Sequence, residues 1–231
     1  TQLDFSSITL IGGYKKYRQF VLNYFKEENK IVIISGKTGS GKTKLLNELR
    51  SNDYQVIDLE FLACHRGSAF GGLGMIKQPT NEQFENNIVE ELDNFNKKRN
   101  IYVEAESANI GKCRIPNEFF KQMKESPRIE IIRDQKERIK ELIKTYSIFS
   151  KEELTDSVKR IERRLGPQRT KAAIDSINKK HWEGVCNAVL EYYDKCYEYE
   201  LIKRENVQKI IIKNIYNEDF ILKMKEKGLL D

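Results

Sequence analysis

The chain's 231 residues, 39% hydrophobic and 33% charged with a net charge of +6, suffice for one sizeable core carrying a helical appendage. No apolar run reaches membrane-spanning length and no signal peptide is recognisable, so no membrane partner is expected. The cysteines Cys64, Cys113, Cys186 and Cys196 form no C-x-x-C, which argues against a disulfide framework or a thiolate metal cluster and fits a reducing, cytoplasmic setting.

Three stretches follow in order: a lead-in over 1–29, an α/β core over 30–133, and a mainly helical, basic region over 134–231. Residues 14–27 read as a short amphipathic helix opened by Gly12 and Gly13. Ile31–Ile34 is an apolar, β-branched run and predicts a buried strand. The next residues, Gly36-Lys37-Thr38-Gly39-Ser40-Gly41-Lys42-Thr43, match the P-loop pattern G-x-x-x-x-G-K-[ST]. The glycines let the backbone curl until several N–H groups face one anion. Lys42 brings an ammonium to the phosphate oxygens, and Thr43 offers a hydroxyl to Mg²⁺. The helix predicted over 44–50 turns its positive end toward the same phosphates. A bound phosphate or diphosphate follows from this; the rest of the ligand does not.

Residues 54–59 predict a second strand with Asp58 near its end. The glycine-rich stretch 64–79 is a long irregular loop, and loops of that length in a compact domain are usually functional. Residues 80–99 predict a helix with Phe84, Ile88, Leu92 and Phe95 on one face. A third strand over 101–103 runs into Glu104-Ala105-Glu106-Ser107. Pro116 opens a helix through Met123, and 128–132 predict a fourth strand. This alternation argues a P-loop NTPase-like parallel sheet with helices on both faces, whose ligands sit at the carboxyl ends of the strands. Residues 134–200 read as a helical extension interrupted at Gly166-Pro167. A last strand over 210–212, packing on the core, and a last helix over 218–227 complete the chain.

The candidate catalytic residues are Lys42, Asp58, His65, Arg66, Glu104 and Glu106, all just after strand ends and expected to converge on one crevice. Glu104 and Glu106 stand where an acid holds Mg²⁺ or activates a nucleophile, or they are a solvated pair. Alternation puts both on the same side of the strand. Asp58 is either a substrate-binding or catalytic acid or a helix cap. His65 beside Arg66 has a reason to stay neutral and serve as base or donor; a plain surface pair is the alternative.

Residues 131–180 hold 14 Lys and Arg against 8 Asp and Glu, which accounts for the whole net charge. Arg160, Arg163 and Arg164 fall on one helical face, with Arg169 close behind. They form a phosphate lid, a stripe along an RNA backbone, or a solvated helix surface. Tyr192, Tyr193, Tyr197 and Tyr199, with Trp182 nearby, are either helical core or a base-stacking platform. The guanine motif Asn/Thr-Lys-x-Asp and any adenine signature are absent from the sequence, so ATP and GTP both stay open as ligands.

On these residues the chain resembles one family, the tRNA 2-selenouridine synthases, over their P-loop half. The motifs carrying the resemblance are Gly12-Gly13-Tyr14-Lys15, the P-loop, Asp58-Leu59-Glu60, His65-Arg66-Gly67-Ser68, Glu104-Ala105-Glu106-Ser107 and Tyr192-Tyr193-Asp194. They recur in family order from residue 12 to 197. Such proteins also carry an N-terminal rhodanese-like domain with a catalytic cysteine, and the short stretch before Gly12 has no room for it. The resemblance therefore implies a stand-alone half that works with tRNA and a separate rhodanese-like subunit supplying the cysteine. It implies geranyl diphosphate as co-substrate, with Mg²⁺, and geranylation of wobble 2-thiouridine on the way to 2-selenouridine. The alternative is an ATP- or GTP-dependent kinase or ATPase acting on RNA.

Overall fold

A computed structural model describes residues 9–202, 207–212 and 220–230. The first half runs α1 (Gly13–Tyr24), β1 (Ile31–Gly36), α2 (Lys42–Ser51), β2 (Gln55–Ile57), α3 (Leu59–Leu62), α4 (Asn81–Asp93) and β3 (Ile101–Glu104). A small hairpin of β4 (Asn109–Ile110) and β5 (Cys113–Arg114) leads to α5 (Asn117–Glu125) and β6 (Arg128–Arg133). Five helices follow: α6 (Gln135–Tyr146), α7 (Lys151–Arg160), α8 (Glu162–Leu165), α9 (Pro167–Asn178) and α10 (Trp182–Leu201). The chain then returns to the sheet with β7 (Val207–Ile212) and α11 (Phe220–Glu226).

Five strands pair in parallel in the order β2-β3-β1-β6-β7. β1 lies in the middle, with Ile33 opposite Val103 and Ile34 opposite Ile129. A strand covered on both faces has no polar side, which is why Ile31–Ile34 reads as an unbroken apolar run. On one face Val21 of α1, Phe25 just after it, and Phe84, Ile88 and Phe119 from α4 and α5 pack onto Ile31, Ile33 and Val103. On the other, Leu45, Leu46 and Leu49 of α2 join Phe220 and Met224 of α11 over Ile34, Tyr102 and Ile129. The protein is thus α/β with helices on both faces of a parallel sheet. The helical extension has its own core of Leu154, Val158, Leu165, Ala173, Ile177 and Val189, into which the glycine-rich loop inserts Phe70 and Leu73. No described helix is long and apolar enough to cross a membrane.

Several elements differ from the sequence expectation. The helix predicted over 80–99 stops at Asp93, because Gln55 captures the following backbone, taking Asn96 N–H at 2.5 Å and donating to Asn96 O at 3.2 Å. The second strand is only three residues long, since Asp58 caps α3 by accepting from Phe61 N–H at 2.9 Å. The last strand begins at Val207, and the last helix is described from Phe220. Residues 218 and 219 of that predicted helix, and residues 1–8 of the lead-in, lie outside the described residues.

The expected arginine stripe is not one helical face. α7 ends at Arg160, and Ile161 breaks the helix at φ −109° so that it and Leu165 can be buried. Arg163 and Arg164 therefore sit on a separate single-turn helix.

One half-buried side chain ties the β4–β5 hairpin to the rest. Gln78 Nε2 donates to Ala63 O at 3.0 Å and Ile110 O at 2.9 Å, while its Oε1 accepts from Lys112 N–H at 2.9 Å. Gln78→Leu should lower stability by about 2 kcal/mol, because it strands three backbone groups at once. Urea unfolding of the two proteins measures this.

Candidate active site

The P-loop is held from behind. Arg133 donates to Gly39 O at 2.9 Å and Arg138 to Thr38 O at 3.1 Å. Lys42 Nζ donates to Gly36 O at 3.1 Å. With these carbonyls engaged, what the loop offers a ligand is its amides and the Lys42 ammonium. Gly39 has φ 79°, and a Cβ there would stand 2.9 Å from Arg138 O, so the loop approaches α6 more closely than any side chain permits. Arg138 also grips Asp194 of α10 with two bonds of 2.9 and 2.6 Å. Lys37 Nζ lies 2.6 Å from Glu198 and 3.7 Å from Asp194, so this lysine's charge is spent on α10.

Opposite the loop stand Glu60, Glu104 and Glu106, with oxygens all within 4.8 Å of one another. Glu104 ends β3, is fully buried, and places Oε1 3.8 Å from Lys42 Nζ. Its Oε2 has no hydrogen-bond partner among the described residues. Burial, and then the neighbouring Glu60, hold the Glu104 carboxyl well above its usual range against the pull of Lys42. Burial followed by Glu106 pushes Glu60 up to about 8. Burial followed by Glu104 pushes Glu106 up to about 8. Acids this close cannot all ionise unless a cation joins them. An all-oxygen donor set with one orphaned buried oxygen suits Mg²⁺, with Glu60, Glu104 and Glu106 to hold it and Thr43 on the same cleft wall.

The P-loop and the carboxylates line one cleft of about 850 Å³. Arg66, Gly67 and Ser68 form part of its wall, and Arg66 is anchored by donating to Leu73 O at 2.8 Å. Phe120, Lys124 and Arg128 contribute from α5 and β6. Tyr192, Tyr193 and Tyr197 of α10 face it, with Tyr197 donating to Glu130 Oε1 at 3.0 Å and Tyr193 accepting from Ala69 N–H at 3.1 Å.

The structure brings together Lys42, Arg66, Glu104 and Glu106 on this wall, with P-loop residues Gly36, Thr38, Gly39, Ser40, Gly41 and Thr43. The single crevice expected for all the strand-end residues does not include His65 or Asp58. The His65 ring packs against Gly71 and Gly72 beneath the loop, and its buried Nδ1 lacks a partner among the described residues. Burial and then Arg160 hold that ring below its usual range. Asp58 is buried as a cap, and burial raises its carboxyl.

Of the predicted RNA-binding arginines, Arg160 folds back on Asp156 O at 3.3 Å and Ser157 Oγ at 3.1 Å. Arg164 interacts with Tyr192 at the cleft, and Arg163 is exposed. Arg169 pairs with Glu191 through bonds of 3.0 and 2.5 Å.

Sequence reasoning named Glu60 only within the Asp58-Leu59-Glu60 motif, with no site role, and left out Arg133 and Arg138. Glu60 sits two residues past Asp58, and only the turn of α3 aims it at the P-loop. The arginines carry no motif at all.

The carboxylate trio makes a pH dependence. In the cation-free protein Glu60 and Glu106 keep their protons up to about pH 8, whereas a glutamate in the unfolded chain loses its proton at about 4.5. Folded carboxyls with raised values stabilise most at low pH, and the contribution falls as pH climbs from about 4.5 to about 8. Urea midpoints without divalent cations should fall across that window. Glu106→Gln should flatten the fall, and added Mg²⁺ should offset it at pH 8.

The match to known proteins follows the same residues. The family model described as the tRNA 2-selenouridine synthase AAA domain matches residues 29–225. A tRNA 2-selenouridine synthase of Nitrosomonas eutropha is 45% identical over 125 residues, covering 51% of this chain and 31% of that protein. The one of Aeromonas salmonicida is 32% identical over 231 residues, covering 85% of this chain and 61% of that protein. That of Sulfurovum sp. is 31% identical, covering 89% and 64%. The chain thus spans between about a third and two thirds of the curated relatives it matches. With a P-loop, a carboxylate trio and a tyrosine wall all inside the matched stretch, the chain belongs to the tRNA 2-selenouridine synthase AAA domain family.

Proposed function

We propose that this chain is the geranyl-transferring half of a tRNA 2-selenouridine synthase. It binds tRNA and geranyl diphosphate, and moves the geranyl group onto the sulfur of wobble 2-thiouridine. The selenium step then falls to a rhodanese-like protein that supplies the catalytic cysteine. The observation that carries this reading is the cleft, where a phosphate loop, three carboxylates and the tyrosines of α10 line one space.

The chemistry follows from the side chains. The loop amides and Lys42 take up negative charge as the allylic C–O bond breaks and diphosphate leaves. Mg²⁺ bound at the carboxylates would supply further charge neutralisation for that leaving group. The thiouracil sulfur attacks the allylic carbon, and the ring N3 proton must leave as the S-alkylated base forms. The departing diphosphate, a base held in the same cleft, takes that proton, because Glu60 and Glu106 are already protonated near neutral pH without a cation and are engaged by the cation when it is bound. Tyr192 and Tyr193 offer flat faces for the base. Arg66 and Arg128 add positive charge to the wall for the anticodon phosphates.

Incubation of the purified chain with thiolated tRNA and geranyl diphosphate, followed by nucleoside mass spectrometry, tests this directly. Geranylated 2-thiouridine should form without any partner protein, and Lys42→Ala should abolish it together with diphosphate binding. Selenouridine formed by this chain alone would refute the division of labour. RNA-stimulated ATP or GTP hydrolysis with no geranylated nucleoside would make the chain an RNA-acting ATPase or kinase.

tRNA binding should weaken steeply with salt, each neutralised phosphate adding a slope of about −0.7 to −0.9. Arg163 and Arg164 are exposed, Arg164 against the cleft residue Tyr192, whereas Arg169 is already paired. Replacing Arg163 and Arg164 with Ala should flatten the slope by about one to two units, and Arg169→Ala should change it less. Titration of labelled tRNA at several salt concentrations measures both.

A further inference from the structure

Beside the polar cleft lies a second cavity of about 70 Å³ with an almost wholly apolar wall. The part away from the cleft is lined by Leu154, Trp182, Cys186 and Val189, which come from α7 and α10. Thr38, Ser68, Leu142, Tyr146 and Tyr193 line both this cavity and the P-loop cleft. The two spaces therefore share a wall at the phosphate loop itself.

Protein interiors are close-packed, and an unfilled apolar cavity of this size costs stability. At about 10–15 Å³ for each water-sized group it has room for about five to seven such groups, enough for the five carbons of one isoprene unit. Water gains little there, because the wall offers few polar partners. A charged loop with an apolar pocket against the same wall suits one chemical class: a diphosphate ester whose other end is a hydrocarbon.

We propose that this cavity receives the terminal isoprene unit of the prenyl diphosphate whose head sits in the P-loop. The inference rests on the diphosphate reading above and adds the site of the tail. The head fixes one end at Lys42. The chain passes Thr38 and Ser68, and the last unit fills the space between Leu142, Trp182, Cys186 and Val189. An allylic diphosphate alkylates thiolates, so a cysteine in the wall must stay protonated. Burial, followed by Glu183, pushes the Cys186 thiol up to about 11, which keeps it so. The cavity is thus a passive receptor that measures tail length and leaves the sulfur of the RNA as the nucleophile.

Calorimetry with two probes, inorganic diphosphate and geranyl diphosphate, tests the assignment in the full chain with Mg²⁺ present. Each buried methylene contributes about fourfold in affinity, so the parent should prefer geranyl diphosphate by on the order of a hundredfold after the costs of ordering the tail. Cys186→Phe fills the cavity and should bring geranyl diphosphate down to the affinity of inorganic diphosphate, leaving inorganic diphosphate unchanged. Unchanged inorganic diphosphate binding also reports an intact fold; if the Phe variant loses it, the smaller Cys186→Leu decides by the same comparison. A preference that survives the filled cavity would overturn the tail site while leaving the diphosphate reading in place. Equal affinity of the parent for both probes would overturn the tail site alone, and binding of neither would overturn the diphosphate reading with it.

Discussion

Arg138 holds the functional half of this molecule together. Its buried guanidinium reaches Thr38 O in the phosphate loop and both carboxylate oxygens of Asp194 on α10. A buried guanidinium is costly unless nearly every donor is used, and a two-pronged carboxylate contact is the strongest way to use them. The loop and α10 come from opposite ends of the described sequence, and this one side chain sets the distance between them. Tyr192, Tyr193 and Tyr197 ride on α10, so the width of the cleft follows from the same contact. Lys37, with Glu198 and Asp194, reinforces it from the loop side.

Against that brace stands a cluster whose charges the fold leaves unpaired. Glu60, Glu104 and Glu106 approach from α3, the end of β3 and the residue pair beyond it. No local packing requirement explains three acids in one buried place, since apolar side chains would fill it at lower cost. Lys42 answers only part of the charge. Stored repulsion of this kind is found where a ligand supplies the missing partner. The phosphate loop and the acids then act as two halves of one electrostatic device, each poorly neutralised alone.

The parts legible in the sequence were those with a periodic or motif-bound cause. β1 and β3 showed as short apolar runs because both their faces are covered, β6 showed as an isoleucine-rich stretch between arginines, and the P-loop announced itself by its glycines. Glu104 and Glu106 were visible because they close a strand. The rest depended on contacts between distant residues. Gln55 ending α4 at Asp93 cannot be read from α4, whose helical pattern continues to Phe95. His65 looked like a cleft residue because it neighbours Arg66, but the tight turn of the loop sends one side chain into the cleft and the other beneath Gly71. Arg160 and Arg164 are four residues apart, and a helix would align them; burial of Ile161 breaks the alignment. Tyr193 and Tyr197 serve as wall and as hydrogen-bonded packing at once, so the choice between core and platform had no single answer.

β7 pairs with β6 along its whole length, from Arg128 opposite Val207 to Arg133 opposite Ile212, yet all of α6 to α10 lies between them in the chain. During synthesis the ribosome must release that entire helical block before β6 meets its neighbour. Until then the β6 edge, Ile129 and Ile131 included, stands open to any other extended chain. Parallel pairing across so long a separation is also slow to close. A nascent chain of this design is therefore most exposed to aggregation late in translation, and the helical block, which can gather its own apolar core first, is the segment placed to shield that edge in the interval.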